Sequence, residues 1–426
     1  MFIFYDLINL LLMILYLPAF LFKKKMHPGF SRRLGRYPAG LVFSDPVWIH
    51  AVSVGEMVNM RRLFQGLSAE FPAAQYVFST VTPTGNSIAA KLARPQDAVT
   101  YLPLDLSFIV QRVLGRIRPR LFIIAETEFW PNLLSALHSR RVPVIIVNGR
   151  ISDKAAKGYR LVRWVIAPLL RRISLFCMQS QRDADRVISL GARPDAVRVT
   201  GNMKYDQPVP AALQQDAGRK ERLGIRPGEQ CIVAGSTHRG EETQVLRAFS
   251  LIARKNSRVR LIIVPRHPER SGEVESCVRR AGFEPVRVSR MTAPPVPERA
   301  VFIVDTIGEL LSYYAIADAV FVGGSLIPHG GQNFLEPAFL DKPVIVGPSL
   351  FNFRDIARQF LDEKAAVLVR DCGELASAVE ALLADGKQAA ELVRAARSLI
   401  CRNAGATDRT LSCIKEFVRA GQIMIQ

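Results

Sequence analysis

The stretch Pro46–Leu67, PVWIHAVSVGEMVNMRRLFQGL, decides how the rest of the chain is read. Its first part, PVWIHAVSV, is an apolar run suited to a buried strand, and MVNMRRLFQGL carries apolar residues at helical spacing. Between them a single carboxylate, Glu56, follows a glycine at the turn. In an open α/β sheet such strand-to-helix turns aim side chains at the crevice beyond the carboxyl edge, where ligands bind. The competing explanation is local: a Glu in the first turn of a helix is favoured by the helix dipole.

Beyond this stretch, strand, turn and helix repeat. QYVFSTV, AVTYLPL, RLFIIAE, VPVIIVN and LFCMQS alternate with segments of helical period. A second series begins near residue 230 with QCIVAGS, VRLIIVP, VFIVDT, AVFVGGS, KPVIVGP and AAVLVR. Short apolar runs bounded by turn residues, with helices between, predict βαβ units and parallel sheets. The polar, proline-bearing YDQPVPAALQQDAGRKERLGIRPG separates the two series. The expected fold class is α/β: two doubly wound, Rossmann-like domains facing a cleft, with an N-terminal membrane-anchor helix. The domains are expected at 30–205 and 229–400, with the anchor at 2–22, a linker at 206–228 and a closing helix at 401–426. Clefts of this kind are usual places for ligands. No GxGxxG opens the first domain and no GxxxxGK[ST] occurs, which disfavours a dinucleotide oxidoreductase and a P-loop NTPase.

At 426 residues and 49% apolar, the chain is long enough for two full cores. It carries 57 Lys and Arg against 38 Asp and Glu, a net +19, unevenly spread. Through Tyr205 the net is +16 and beyond it only +3. A lopsided basic half suits an anionic surface or substrate: nucleic acid, acidic lipid or phosphate. The six cysteines are scattered without a CxxC, so a disulfide framework or zinc site is not expected, and a reducing cytoplasm fits.

Residues 2–22, FIFYDLINLLLMILYLPAFLF, have about the length of a bilayer span, although Asp6, Asn9 and Pro18 interrupt them. A cleaved signal peptide carries its positive charge first; here Lys23, Lys24 and Lys25 follow the apolar run. The positive-inside rule places that flank, and the chain after it, in the cytoplasm, and an interfacial anchor gives the same orientation.

In the second half, four strand ends carry polar or glycine-rich turns. GSTHRGEE, Gly235–Glu242, offers backbone N–H groups to an anion at a helix start. VPRHPER puts Arg266 and His267 at a strand end, where a guanidinium meets a phosphate or stacks on a base. VDTIGEL looks like another helix N-terminus, with Thr306 and the Ile307 and Gly308 amides open to phosphate. GGSLIPHGGQNFLEP combines two diglycines with Asn333 and Glu336, the latter suited to a ribose diol. Each also has a structural explanation, as turn glycines, helix caps or dipole partners.

HAVSVGE, STVTPTG, ETEFWPNL, VNGRIS, TGNMKYD, GSTHRGEE, PRHPER and GGQNFLEP, taken together and in order, resemble the bacterial 3-deoxy-D-manno-octulosonic acid (Kdo) transferases of lipid A assembly. The resemblance covers essentially the whole chain. It implies a GT-B glycosyltransferase of lipopolysaccharide core biosynthesis, with CMP-Kdo as donor and a lipid A precursor, lipid IVA, as acceptor. It implies Glu56 as general base, and Glu126 and Lys204 as transition-state support. It further implies that Pro265 and Arg266, Thr306, Ile307 and Gly308, and Asn333, Phe334, Leu335 and Glu336 bind CMP. Glu128 competes on spacing for the role of Glu126, and the resemblance alone decides between them.

A base acting on a sugar hydroxyl, with no covalent enzyme intermediate, predicts inversion at the anomeric centre. No cofactor beyond the donor CMP-Kdo is expected, and no metal. Asp183 and Asp185 spell a DxD, but they open an amphipathic helix where acids are dipole-favoured. Arg32, Arg33, Arg36, Arg61 and Arg62 are expected to meet anionic phospholipid and the acceptor's phosphates. The expected location is the cytoplasmic face of the inner membrane. Another GT-B nucleotide-sugar transferase or an epimerase shares fold and cleft. A membrane-associated nucleic-acid-binding protein explains the charge but leaves the strand-end motifs unused and lacks a recognition module, so no nucleic acid is expected as partner.

Overall fold

The computed structural model describes residues 5–7, 10–11, 29–38, 40–207, 218–291, 297 and 299–422. The chain divides into two compact units: residues 1–207 together with 403–426, and residues 208–402.

The first unit is built on seven strands: β1 (Val47–His50), β2 (Tyr76–Thr80), β3 (Ala98–Tyr101), β4 (Leu121–Ala125), β5 (Val144–Gly149), β6 (Leu175–Met178) and β7 (Val197–Val199). Their order is β3-β2-β1-β4-β5-β6-β7, and every pairing is parallel. β1, β2, β4, β5 and β6 are buried at every position, as strands covered by helices on both faces must be. Alternation sorts them onto two cores: Trp48, Phe122 and Ile124 point to one, Ile49, Ile123 and Ile145 to the other.

The strand expected as VWIHAVSV stops at His50, because Ser53 caps the helix Val54–Glu70 and turns the chain over. Two strands absent from the sequence reading, β7 and, in the second unit, Glu284–Arg287, are edge strands with polar or exposed residues and no apolar run.

Residues 403–422 return to this unit. The helix Ala406–Phe417 packs on Val54–Glu70, sending Ile414 into the core beside Met57 and Met60. Gly66 permits the approach: a Cβ there would lie 2.6 Å from Leu411 Cδ2.

The second unit repeats the plan with β8 (Gln230–Thr237), β9 (Val259–Pro265), β10 (Glu284–Arg287), β11 (Ala300–Ile303), β12 (Ala319–Val322), β13 (Val344–Val346) and β14 (Val367–Leu368). The order is β10-β11-β9-β8-β12-β13-β14, again all parallel.

Most of the expected anchor at 2–22, all but residues 5–7 and 10–11, and residues 208–217 of the expected linker at 206–228 lie outside the described residues. Among the described residues no helix is long and apolar enough to cross a membrane. Asp6, the acid that interrupts the apolar run, accepts hydrogen bonds from Ser107 N at 3.1 Å and Asn132 Nδ2 at 2.7 Å, and from the Ser107 hydroxyl. It thereby satisfies the start of the helix Ser107–Ile117, where free N–H groups seek an acceptor.

Candidate active site

In the first sheet the chain runs outward one way from β1 to β3 and then crosses to continue from β4. The carboxyl ends of β1 and β4 therefore flank the switch point, where doubly wound sheets open a ligand crevice. Acids follow both strands: Glu56 after β1, and Glu126 and Glu128 after β4.

Glu56 is held as the local reading requires. Ser53 accepts from Glu56 N at 3.2 Å, while Glu56 Oε1 accepts from Ser53 Oγ at 2.9 Å and Oε2 from Val52 N at 2.8 Å. This is a close relative of the capping box, in which side chains at N-cap and N3 satisfy each other's donors. The same carboxyl is also perturbed. Burial, then repulsion from Glu126 and Glu128, pushes it up to about 7 against the hydrogen bonds from Val52 and Ser53. Cap and base are thus compatible: the cap fixes the direction of a carboxylate whose basicity matches proton transfer near neutrality.

Glu126 sits in a left-handed conformation, φ 57°, and its N–H reaches Val147 O at 2.8 Å. Such a conformation is uncommon for a residue with a side chain and concentrates at functional turns. Lys204 Nζ lies 3.9 Å from Glu126 Oε1. The structure therefore brings Glu126 and Lys204 together and sets both Glu126 and Glu128 within electrostatic reach of Glu56. Between Glu126 and Glu128, the former is the one the Lys204 ammonium approaches. Burial and Glu126 raise the Glu128 carboxyl, and Phe129 packs edge-on against Tyr159 at 5.4 Å.

In the second sheet the switch point lies between β8 and β12. In the turn Gly235–Glu242, expected to offer amides to an anion, His238 N is taken by the buried Glu241 carboxylate at 3.1 Å. The same carboxylate accepts from a second turn, after β12: Gly324 N at 2.6 Å, Ser325 N at 2.9 Å and Leu326 N at 2.9 Å. Gly323 lets the two turns meet, since a Cβ there would lie 2.5 Å from Ser236 O.

Around this rim Arg266, Asn333 and Glu336 converge. Burial pushes the Glu336 carboxyl up to about 7, opposed by a 3.1 Å hydrogen bond from Asn333 Nδ2 and by the charge of Arg266. Pro265 is the last residue of β9, and Arg266 N bonds Thr237 O at 3.0 Å.

Phe334 and Leu335 are buried, Phe334 against Phe360 and Phe353, and Leu335 N bonds Asn333 Oδ1 at 3.3 Å. One expectation needs correction. Thr306, Ile307 and Gly308 stand ahead of the short helix Leu310–Ile316 and do not form its N-terminus. The Thr306 hydroxyl donates to Glu309, Gly308 takes φ 91°, and Ile307 is exposed.

The sequence reading missed two features here. Glu309 also pairs with Arg219 at 3.2 Å. His238, from the first turn, lies 3.9 Å from the His329 ring and 5.9 Å from that of His267. Burial, the other two imidazoles and the neighbouring Arg266 and Arg270 lower His238 to about 4, so it is neutral near pH 7. The signal was a histidine in each of THRG, PRHPER and IPHGG, on three separate strand ends.

The DxD acids are engaged in the fold. Asp183 accepts from Ile151 N at 2.9 Å and Ser180 Oγ at 2.5 Å, and Asp185 from Gln181 Nε2 at 2.8 Å. Of the five arginines expected to meet lipid, Arg32 and Arg33 donate to Val99 O and Leu102 O, and Arg62 pairs with Asp408 at 2.7 Å. Arg36 and Arg61 are exposed.

Two Rossmann-type units, one with a raised carboxyl at its switch point and one with a rim of cations and polar groups, make a two-domain α/β fold of the GT-B kind. The fold is shared with a UDP-GlcNAc 2-epimerase from Neisseria meningitidis, at TM-score 0.59 and 10% identity over 88% of this chain and 100% of that one. Residues 28–207 match the family described as 3-deoxy-D-manno-octulosonic-acid transferase (kdotransferase). The chain is 34% identical to the 3-deoxy-D-manno-octulosonic acid transferase of Haemophilus influenzae over 87% of each chain. It is 32% identical to that of Bordetella pertussis over 91% of each. The chain belongs to the Kdo transferase family, and it is a glycosyltransferase.

Proposed function

We propose that this chain transfers Kdo from CMP-Kdo to a sugar hydroxyl of a lipid A precursor, lipid IVA, with inversion. The observation that carries this reading is Glu56: a fixed carboxylate at the first switch point, pushed up to about 7. Glu56 takes the proton of the acceptor hydroxyl as that oxygen bonds to the donor's anomeric carbon. The bond from this carbon to the CMP phosphate breaks, and its electron pair leaves with CMP. One displacement at one carbon inverts it. Lys204, beside Glu126, supplies positive charge to the anionic reacting groups, and preorganised charge of this kind costs no reorganisation during reaction.

The second unit holds the leaving nucleotide. Arg266 and the amides at 306–308 take the phosphate, and Asn333 and Glu336 take the ribose. The exposed Leu161 and Trp164, flanked by Arg160 and Arg163, support a body that rests on an anionic membrane surface. The segment 2–22 with Lys23–Lys25 behind it supports anchorage to the inner membrane, with the two units on the cytoplasmic side.

Donor choice is tested by thermal stabilisation. At 100 times its Kd, CMP stabilises the enzyme by about 2.7 kcal/mol, and Arg266→Ala removes most of the resulting shift in Tm. An unchanged shift in that variant takes Arg266 out of the donor site. A larger shift with UDP than with CMP turns the reading toward another GT-B enzyme.

A further inference from the structure

Lys204 lies on no helix or strand long enough to fix it. It belongs to a single 3₁₀ turn, Met203–Asp206, that ends the first pass of the chain through its unit. The turn is nevertheless held at four places. Asn148, buried and in a left-handed conformation of φ 53°, accepts from Met203 N at 3.0 Å through its side chain. Asn202 accepts from Lys204 N at 3.0 Å. Gln207 donates to Asn59 Oδ1 at 2.7 Å, and Asn59 lies three residues beyond Glu56 on the same helix.

The fourth hold comes from the far end of the chain. Asp206 is buried, and its carboxylate accepts from Gly405 N at 2.7 Å and Thr407 N at 2.5 Å. These are orphan donors at the start of the helix Ala406–Phe417, which has no side-chain cap of its own. Two further bonds tie that helix to the same segment. Arg409 Nε donates to Thr200 O at 2.8 Å, and the buried hydroxyls of Thr410 and Thr200 meet at 3.0 Å. The capping carboxylate therefore works in both directions: it starts the C-terminal helix, and that helix holds the turn carrying Lys204.

We infer that Asp206 is a positioning residue for Lys204, and that the C-terminal helix belongs to the catalytic machinery by clamping the Met203–Asp206 turn. The inference rests on the role proposed above for Lys204. A lysine ammonium on a four-carbon stem delivers its charge to a fixed point only if its Cα is fixed. Misplacement of a reacting group by about 1 Å costs up to roughly 100-fold in rate. Asp206→Asn keeps the side chain's shape but offers one acceptor oxygen to two N–H groups, so it loosens the turn without emptying the site.

Asp206→Asn is expected to lower kcat about 10- to 100-fold with the KM for CMP-Kdo unchanged. In a Lys204→Ala background the same substitution is expected to add nothing, because there is no ammonium left to position. Wild-type kcat in Asp206→Asn, or a full additional loss in the Lys204→Ala background, overturns the inference. Full turnover in Lys204→Ala overturns the underlying role of Lys204, and the inference falls with it. Loss in Lys204→Ala with none in Asp206→Asn overturns the inference alone. Should Asp206→Asn not fold, Thr410→Val removes the hydroxyl pair at Thr200 and is expected to show a several-fold fall with the same non-additivity. An unchanged kcat there counts against the clamp.

Discussion

Glu56→Gln turns over about 100- to 10,000-fold more slowly than the parent enzyme, the usual loss when general-base help is removed. Glutamine keeps the length and shape of the side chain. Its oxygen still accepts from Val52 N, and its NH₂ donates to Ser53 Oγ, a hydroxyl that turns to accept. Loss of the charge at the helix start costs about 0.3–1 kcal/mol of stability. Relief of the repulsion from Glu126 and Glu128 offsets part of that.

If Glu56 served only the helix start, stability would move by that amount and turnover would hardly move. CMP binding is unchanged in both cases, since the donor motifs belong to the other unit. Turnover and CMP binding measured on one folded preparation separate the two roles, and near-normal turnover leaves Glu56 as a cap alone.

The pH dependence adds a sign. A carboxyl raised from 4.5 to about 7 by folding contributes stability that is present below pH 4.5 and is lost as pH rises through about 7. Activity needs the deprotonated form and therefore rises through the same window. The parent enzyme is expected to gain kcat/KM and lose this increment of stability between pH 4.5 and 7, and Glu56→Gln to show neither slope.

Glu241→Ala is the second large effect, and it falls on stability. The buried carboxylate accepts from four backbone N–H groups on two turns. Alanine leaves those donors without their acceptor inside the protein, at a cost of at least about 3 kcal/mol. Against a typical total of roughly 5–15 kcal/mol, that is a large share. Because the carboxylate joins His238 to Gly324–Leu326, the CMP-induced shift is expected to fall with it. Urea unfolding followed on parent and variant reads the cost directly. A difference under about 0.5 kcal/mol would mean that the two turns hold without the acid.

The part of the fold legible in the sequence is the part governed by local pattern. The run at Val47–His50 and the Ser53–Glu56 spacing mark strand and helix start without reference to anything distant, and most of the parallel strands follow in the same way. What was not legible depends on chain segments far apart. Nothing near Asp206 announces that its partners are Gly405 and Thr407, some 200 residues on. Glu241 reads as a first-turn acid, and only the approach of Gly324–Leu326 shows that its carboxylate serves the amides of a second turn. Phe334 and Leu335 sit inside a segment expected to bind CMP, and their side chains are taken up by the core. Edge strands β7 and β10 lack the apolar run that burial on both faces imposes on central strands.

The central claim is Kdo transfer, and the mass of the acceptor tests it most directly. The full chain is incubated in membranes with CMP-Kdo and a tetra-acylated lipid A precursor, and the lipid is then weighed by mass spectrometry. The expected result is acceptor heavier by one or more whole Kdo residues, with CMP released in equal number and the product formed about 100- to 10,000-fold more slowly by Glu56→Gln. An acceptor of unchanged mass, from an enzyme that still binds CMP, would contradict it.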